Sequence, residues 1–121
     1  MKRVLVFACG LGLMSACGDK VCTMEYYPSI VVTVMDSLTG VNRAKGATLV
    51  IQYNRDGYVR VDSVRGMVDG ALQWGDHVGL LHLTVRQDGY VPWADSVFVQ
   101  GIGHCQKPRT VGVLARLQRA G

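Results

Sequence analysis

Apolar residues recur at every second position in four short runs: Ile30, Val32 and Val34; Leu49, Ile51 and Tyr53; Leu81, Leu83 and Val85; Val111, Val113, Ala115 and Leu117. A period of two places side chains on one face of an extended strand, whereas a helix needs a period near 3.6. Between the runs stand glycine-bearing turn segments at 36–40, 54–57, 87–89 and 101–103. Glycine supplies positive φ there without steric cost. Strands at roughly ten-residue spacing suit a sandwich or barrel, and 15 glycines in 121 residues disfavour long helices. The pattern predicts one all-β sandwich of about seven strands over residues 28–117, opened by Pro28 and followed by a tail at 118–121. Residues 65–76, with Gly66, Gly70 and Gly75, read as an irregular connection holding a short strand at Ala71–Trp74. Trp74, Trp93 and Phe98 are the expected large plugs, with both tryptophans in the core or at its edge and exposure in a ligand groove as the alternative.

The front of the chain has a different layout. Lys2 and Arg3 precede an apolar run at 4–13, and small Ser15 and Ala16 follow. That three-part order is the pattern of a secretory signal over residues 1–16, and the run is shorter than the ~20 residues a membrane span needs. Leu13, Met14, Ser15, Ala16 and Cys17 together resemble the lipobox of bacterial lipoproteins, with Met14 where Leu, Val or Ile is usual. The resemblance implies cleavage before Cys17, lipid on its sulfur, and a tether over residues 17–27. Cys9, inside the apolar run, reads as a small hydrophobe. Gly18 beside the anchor, with Asp19 one place later, resembles the sorting pattern for the outer membrane of a Gram-negative cell, on its periplasmic or surface face. One acyl chain holds a protein marginally and several hold it durably. The competing readings are an ordinary signal cut after Ala16, leaving a free Cys17, and a membrane-spanning helix.

With Cys9 in the signal and Cys17 lipidated, Cys22 and Cys105 remain as an even pair in an oxidising compartment, where a disulfide is expected. The alternative for these two is metal ligation with His104, without the close spacing of a dedicated site. With Lys2 and Arg3 removed from the 13 basic residues, eleven face nine acidic ones. Arg43, Lys45, Arg55, Arg60 and Arg65 lie scattered among acids along the chain, which does not support a nucleic-acid footprint.

A strand at 29–35 closing on Asp36, Thr39 and Gly40, then Gly46 with Ala47, then Gly89 with Tyr90, then a valine strand and Cys105, resembles the carboxypeptidase regulatory-like domain family. The resemblance implies a prealbumin-like, Greek-key sandwich of the transthyretin type without catalytic residues. Where the family usually has Pro-Val or Pro-Leu before Gly-Ala, this chain has Arg43, Ala44 and Lys45. Each motif residue also has a local reason. The Asp36 carboxylate can bond backbone amides of its turn while Gly40 takes the left-handed position. Gly46 fits a bulge or close approach at strand entry. Gly89 turns a hairpin, and Tyr90 buries its ring while its hydroxyl finds a partner.

The function expected is a lipid-anchored binding or structural module of the cell envelope, with no cofactor and with an envelope protein or glycan as partner. Two alternatives stand beside it. A hydrolase on a transthyretin-like fold would need histidines, an arginine and a C-terminal Tyr-Arg-Gly-Ser, whereas this chain ends in Arg119, Ala120 and Gly121. Ser63 and Ser96 lie in strand-like contexts without a nucleophile-elbow turn. A metal carrier would use His77, His82 and His104.

Overall fold

The computed structural model describes residues 27–121. The segment read as a signal, Cys17 and Cys22 lie outside the described residues. Among the described residues nine strands form: β1 Ile30–Asp36, β2 Thr48–Arg55, β3 Tyr58–Arg65, β4 Ala71–Trp74, β5 Gly79–Arg86, β6 Trp93–Val99, β7 Gly101–Ile102, β8 Lys107–Pro108 and β9 Val111–Leu117. Seven are substantial, and β7 and β8 are a two-residue pair. The all-β expectation holds, as does the short strand at Ala71–Trp74.

Two sheets share one core. One has the order β9-β1-β4 and the other β3-β2-β5-β6. The second is antiparallel throughout, whereas β1 pairs antiparallel with β4 but parallel with β9, in a register from Ile30 opposite Val111 to Asp36 opposite Leu117. The first and last long strands of the domain are therefore neighbours.

Alternation sets which face of each strand points inward. On β1, Ile30, Val32, Val34 and Asp36 are buried and the residues between them are half-buried. Opposite them, Leu49, Ile51, Leu81, Leu83 and Val85 are buried from the other sheet. Each fully buried Val, Leu or Ile contributes about 1.5–3 kcal/mol relative to an exposed one. A one-residue slip of β1 would bring Val31, Thr33 and Met35 inward and lose that burial, so the register is strongly specified. The β2–β3 hairpin turns on Asp56 and Gly57, both at positive φ (54° and 81°), as a two-residue hairpin turn matched to strand twist requires.

Three sequence expectations are corrected or narrowed. Phe98 is no plug: it is 61% exposed. It falls on the outward face of β6, one residue out of phase with buried Val99, whereas Trp74 and Trp93 pack at the core edge, within the expectation for both. Of the two readings of Gly46, a bulge is ruled out because the strand starts only at Thr48, and a close backbone approach is what is seen, the Gly46 amide donating to the Gly66 carbonyl at 2.8 Å. Gly46 takes φ 83° in a turn closed by the Ala47 amide donating to the Ala44 carbonyl at 3.0 Å. The 101–103 segment is more than a turn, since Gly101 and Ile102 pair with Pro108 and Lys107.

Candidate functional site

The most organised polar site lies at the end of β1. Because Asp36 keeps the inward phase of Ile30, Val32 and Val34, its carboxylate is driven against the core, with no side-chain exposure. A buried carboxylate is tolerated only when its oxygens are bonded. Oδ1 accepts the Leu38 amide at 2.8 Å and the Thr39 amide at 3.0 Å. Oδ2 accepts the Tyr90 hydroxyl at 2.7 Å and Arg119 Nε at 2.8 Å. The Tyr90 hydroxyl in turn accepts Arg43 Nε at 3.1 Å. Hydrogen bonds from Arg119, Tyr90 and the two turn amides, in that order, hold the Asp36 carboxyl far below the usual carboxylate range, against an opposing push from burial. The same bond to Asp36 raises the Arg119 guanidinium.

Sequence reasoning placed several of these residues without joining them. Asp36 and Gly40, with Gly40 at φ 72°, make the expected turn, and Thr39 Oγ1 accepts the Val41 amide at 3.2 Å. Gly89 takes φ 83° just before Tyr90, whose hydroxyl finds its partner in Asp36. Gly46 and Ala47 stand nearby in the 44–47 turn. Arg119 and Arg43 were missed. Arg119 arrives because residues 118–120 run beside 89–91: Val91 N donates to Gln118 O at 2.8 Å and Ala120 N to Gly89 O at 2.9 Å. No local motif announces such a pairing.

Around this network opens a cleft of about 450 Å³ lined by Arg43, Lys45, Gln87, Asp88, Gly89, Tyr90 and Arg119. A smaller depression of about 220 Å³ adjoins it through Gln87, Asp88 and Tyr90 and adds Arg65 and Arg86. Those two arginines stand opposite Thr48 from either side, in one row across β3, β2 and β5. Basic residues scattered in sequence are thus gathered at one end of the fold. The cleft loop is pinned from two directions. Gln87 Nε2 donates to the Arg43 and Lys45 carbonyls, both at 2.8 Å, and Asn42 bonds Gly70 through Nδ2 at 2.9 Å and the Ala44 amide through Oδ1 at 2.9 Å.

No protein-family model matches this chain, and no curated protein matches it. The geometry carries the functional reading.

The histidines sit at three separate places. The His77 ring lies tilted against Tyr53, centroids 4.8 Å apart, and Tyr53 is itself 5.0 Å from Trp74, near the start of β1. Burial and Arg55 lower the His77 pKa against an opposing pull from Asp76. His82 Nδ1 lies 2.8 Å from Ser96 Oγ, across an exposed row of β5 and β6. No carboxylate bonds that ring among the described residues, and the pair projects from an open sheet face. The ladder explains it as a cross-strand hydrogen bond. His104 and Cys105 lie between β7 and β8, in the 103–106 turn.

Proposed function

We propose that this protein is a lipid-anchored envelope protein of the outer membrane whose sandwich is a non-catalytic binding or structural module. In this reading residues 1–16 are removed, Cys17 carries the lipid, residues 17–27 are the tether, and a Cys22–Cys105 disulfide secures the chain where it enters the fold. The module is of the carboxypeptidase regulatory-like type, with prealbumin-like Greek-key connectivity. The observation that carries the non-catalytic reading is what the motif residues do: Asp36 and Tyr90 use their polar atoms on each other, on the 38–39 turn and on two arginines. A carboxylate bonded by four donors and held ionised is a structural tie with no capacity left as an acid or base. The anchor rests on the run of residues 13–17.

Two measurements test the reading. Metabolic labelling with palmitate should mark the wild type, and Cys17→Ser should lose both label and membrane retention. Label on the Cys17→Ser protein would overturn the anchor. Alkylation before and after reduction should find Cys22 and Cys105 reactive only after reduction. Reactivity in the unreduced protein would remove the bridge.

A further inference from the structure

We propose that the cleft around Arg43, Lys45 and Arg119 is a binding site for a soluble, multiply charged oxyanion of the phosphate or carboxylate class. The inference deepens the binding-module reading and takes from it only the orientation of the domain.

The two guanidinium groups are fixed from behind. Arg43 and Arg119 each commit Nε to the Tyr90–Asp36 pair. Arg119 also bonds the Tyr90 side chain, and among the described residues no hydrogen bond or ion pair outside the Tyr90–Asp36 pair holds either arginine side chain or the Lys45 ammonium. Guanidinium nitrogens facing the cleft therefore remain for a ligand, on side chains already ordered by the fold. Arginine forks match the planar oxygen pairs of carboxylates and phosphates, and prior ordering removes much of the entropy cost of gripping one.

Charge points the same way. Arg43, Lys45, Arg65, Arg86 and Arg119 surround the joined depressions, with Asp88 as the one acidic residue of their lining. The Asp36 charge below is buried and already bonded four times. Concave walls concentrate such a field. Arg65 and Arg86 flank Thr48 on adjacent strands, about 10 Å apart at the backbone. A ligand bridging both depressions needs more than one negative group.

A phosphate could reach the cleft on a soluble molecule or on a lipid headgroup, and the fold favours the first. The described chain enters next to Ile30, at the start of β1, whereas Asp36 lies at its end, roughly 20 Å away. A tether leading into the start of β1 turns the cleft away from the bilayer that holds it.

Titration of the detergent-solubilised full-length protein with tripolyphosphate, read by calorimetry, should give saturable one-to-one binding. The Lys45→Glu/Arg86→Glu double variant should weaken it at least about tenfold, with a melting temperature within about 2 °C of wild type because neither side chain holds a partner among the described residues. Arg60→Glu, at the far end of β3 from Arg65, should stay within about twofold of wild type. Absence of saturable binding, an equal loss with Arg60→Glu, or binding only to phosphatidylglycerol vesicles would each overturn the site. The two readings fail separately: a protein that takes palmitate but ignores tripolyphosphate refutes the cleft, and one that binds it without taking palmitate refutes the anchor.

Discussion

Gly66→Ala is expected to destabilise the fold by about 3 kcal/mol and to lower the melting temperature by roughly 12–24 °C. The reason is space rather than backbone angle, because Gly66 is not among the glycines at positive φ. A Cβ at this position would collide with the Ala44 carbonyl oxygen, meet the Ala44 carbonyl carbon at 2.8 Å and touch Leu72 Cδ2 at 3.0 Å. None of these neighbours can withdraw easily. The Ala44 carbonyl closes the 44–47 turn, Gly66 bonds both Gly46 and Ala47 at 2.8 Å, and Gln87 holds the carbonyls on either side of Ala44. Ala44 itself is fully buried. The contrast is Gly112→Ala in β9, where an added Cβ meets nothing within 4 Å. That variant should melt at or slightly above the wild type, since it only reduces the freedom of the unfolded chain. Thermal unfolding followed by near-ultraviolet circular dichroism separates the two, and equal melting temperatures would show that residues 44–47 are free to move aside.

The two glycines also mark how far sequence reasoning reaches. Period-two burial was legible because Ile30, Val32 and Val34 repeat a local rule that any strand with one buried face must obey. In the 65–76 connection the short strand at Ala71–Trp74 was legible but the need for Gly66 was not, because Gly66 is required by a backbone that approaches from residue 44, and nothing at 66 reports that approach. Phe98 misled for a related reason. Its size suggested a core, but phase decides burial, and Val99 next to it holds the inward position. The polar site divides in the same way. The Asp36 turn and the need of Tyr90 for a partner follow from local chemistry. The arrival of Arg119 depends on where the last residues cross 89–91, and the gathering of Arg43, Lys45, Arg65 and Arg86 depends on loop and strand ends meeting in three dimensions. Arg43 and Lys45 line the cleft only because the 42–47 loop folds toward Gln87.

Asp36→Asn should lower the melting temperature by about 10 °C at neutral pH, and the size of that effect should depend on pH in a definite direction. Asparagine keeps the shape but must turn its amide donors toward either the Leu38 and Thr39 amides or the Tyr90 and Arg119 donors, so one pair of donors faces another. An unsatisfied buried polar group then replaces a fully bonded carboxylate. In the wild type the folded carboxyl titrates far below its unfolded value of about 3.9. The unfolded chain therefore takes up the proton first as pH falls. The stability supplied by this ionised group is complete above about pH 5, declines as pH drops through about 4, and continues to fall toward the lowered folded pKa. The asparagine side chain of the variant has no such proton to bind. The gap between wild type and Asp36→Asn should accordingly be widest near neutrality and narrow steadily below about pH 4. Parallel melting curves across that range, with a constant gap, would mean that the Asp36 carboxyl titrates alike in the folded and the unfolded chain, and that the tie between the β1 end, Tyr90 and the C-terminal residues is not the charged network described above. Tyr90→Phe provides the intermediate case. It removes one bond to Asp36 and the acceptor for Arg43 while leaving Arg119 in place, so it should retain the acid dependence with a smaller loss at neutral pH.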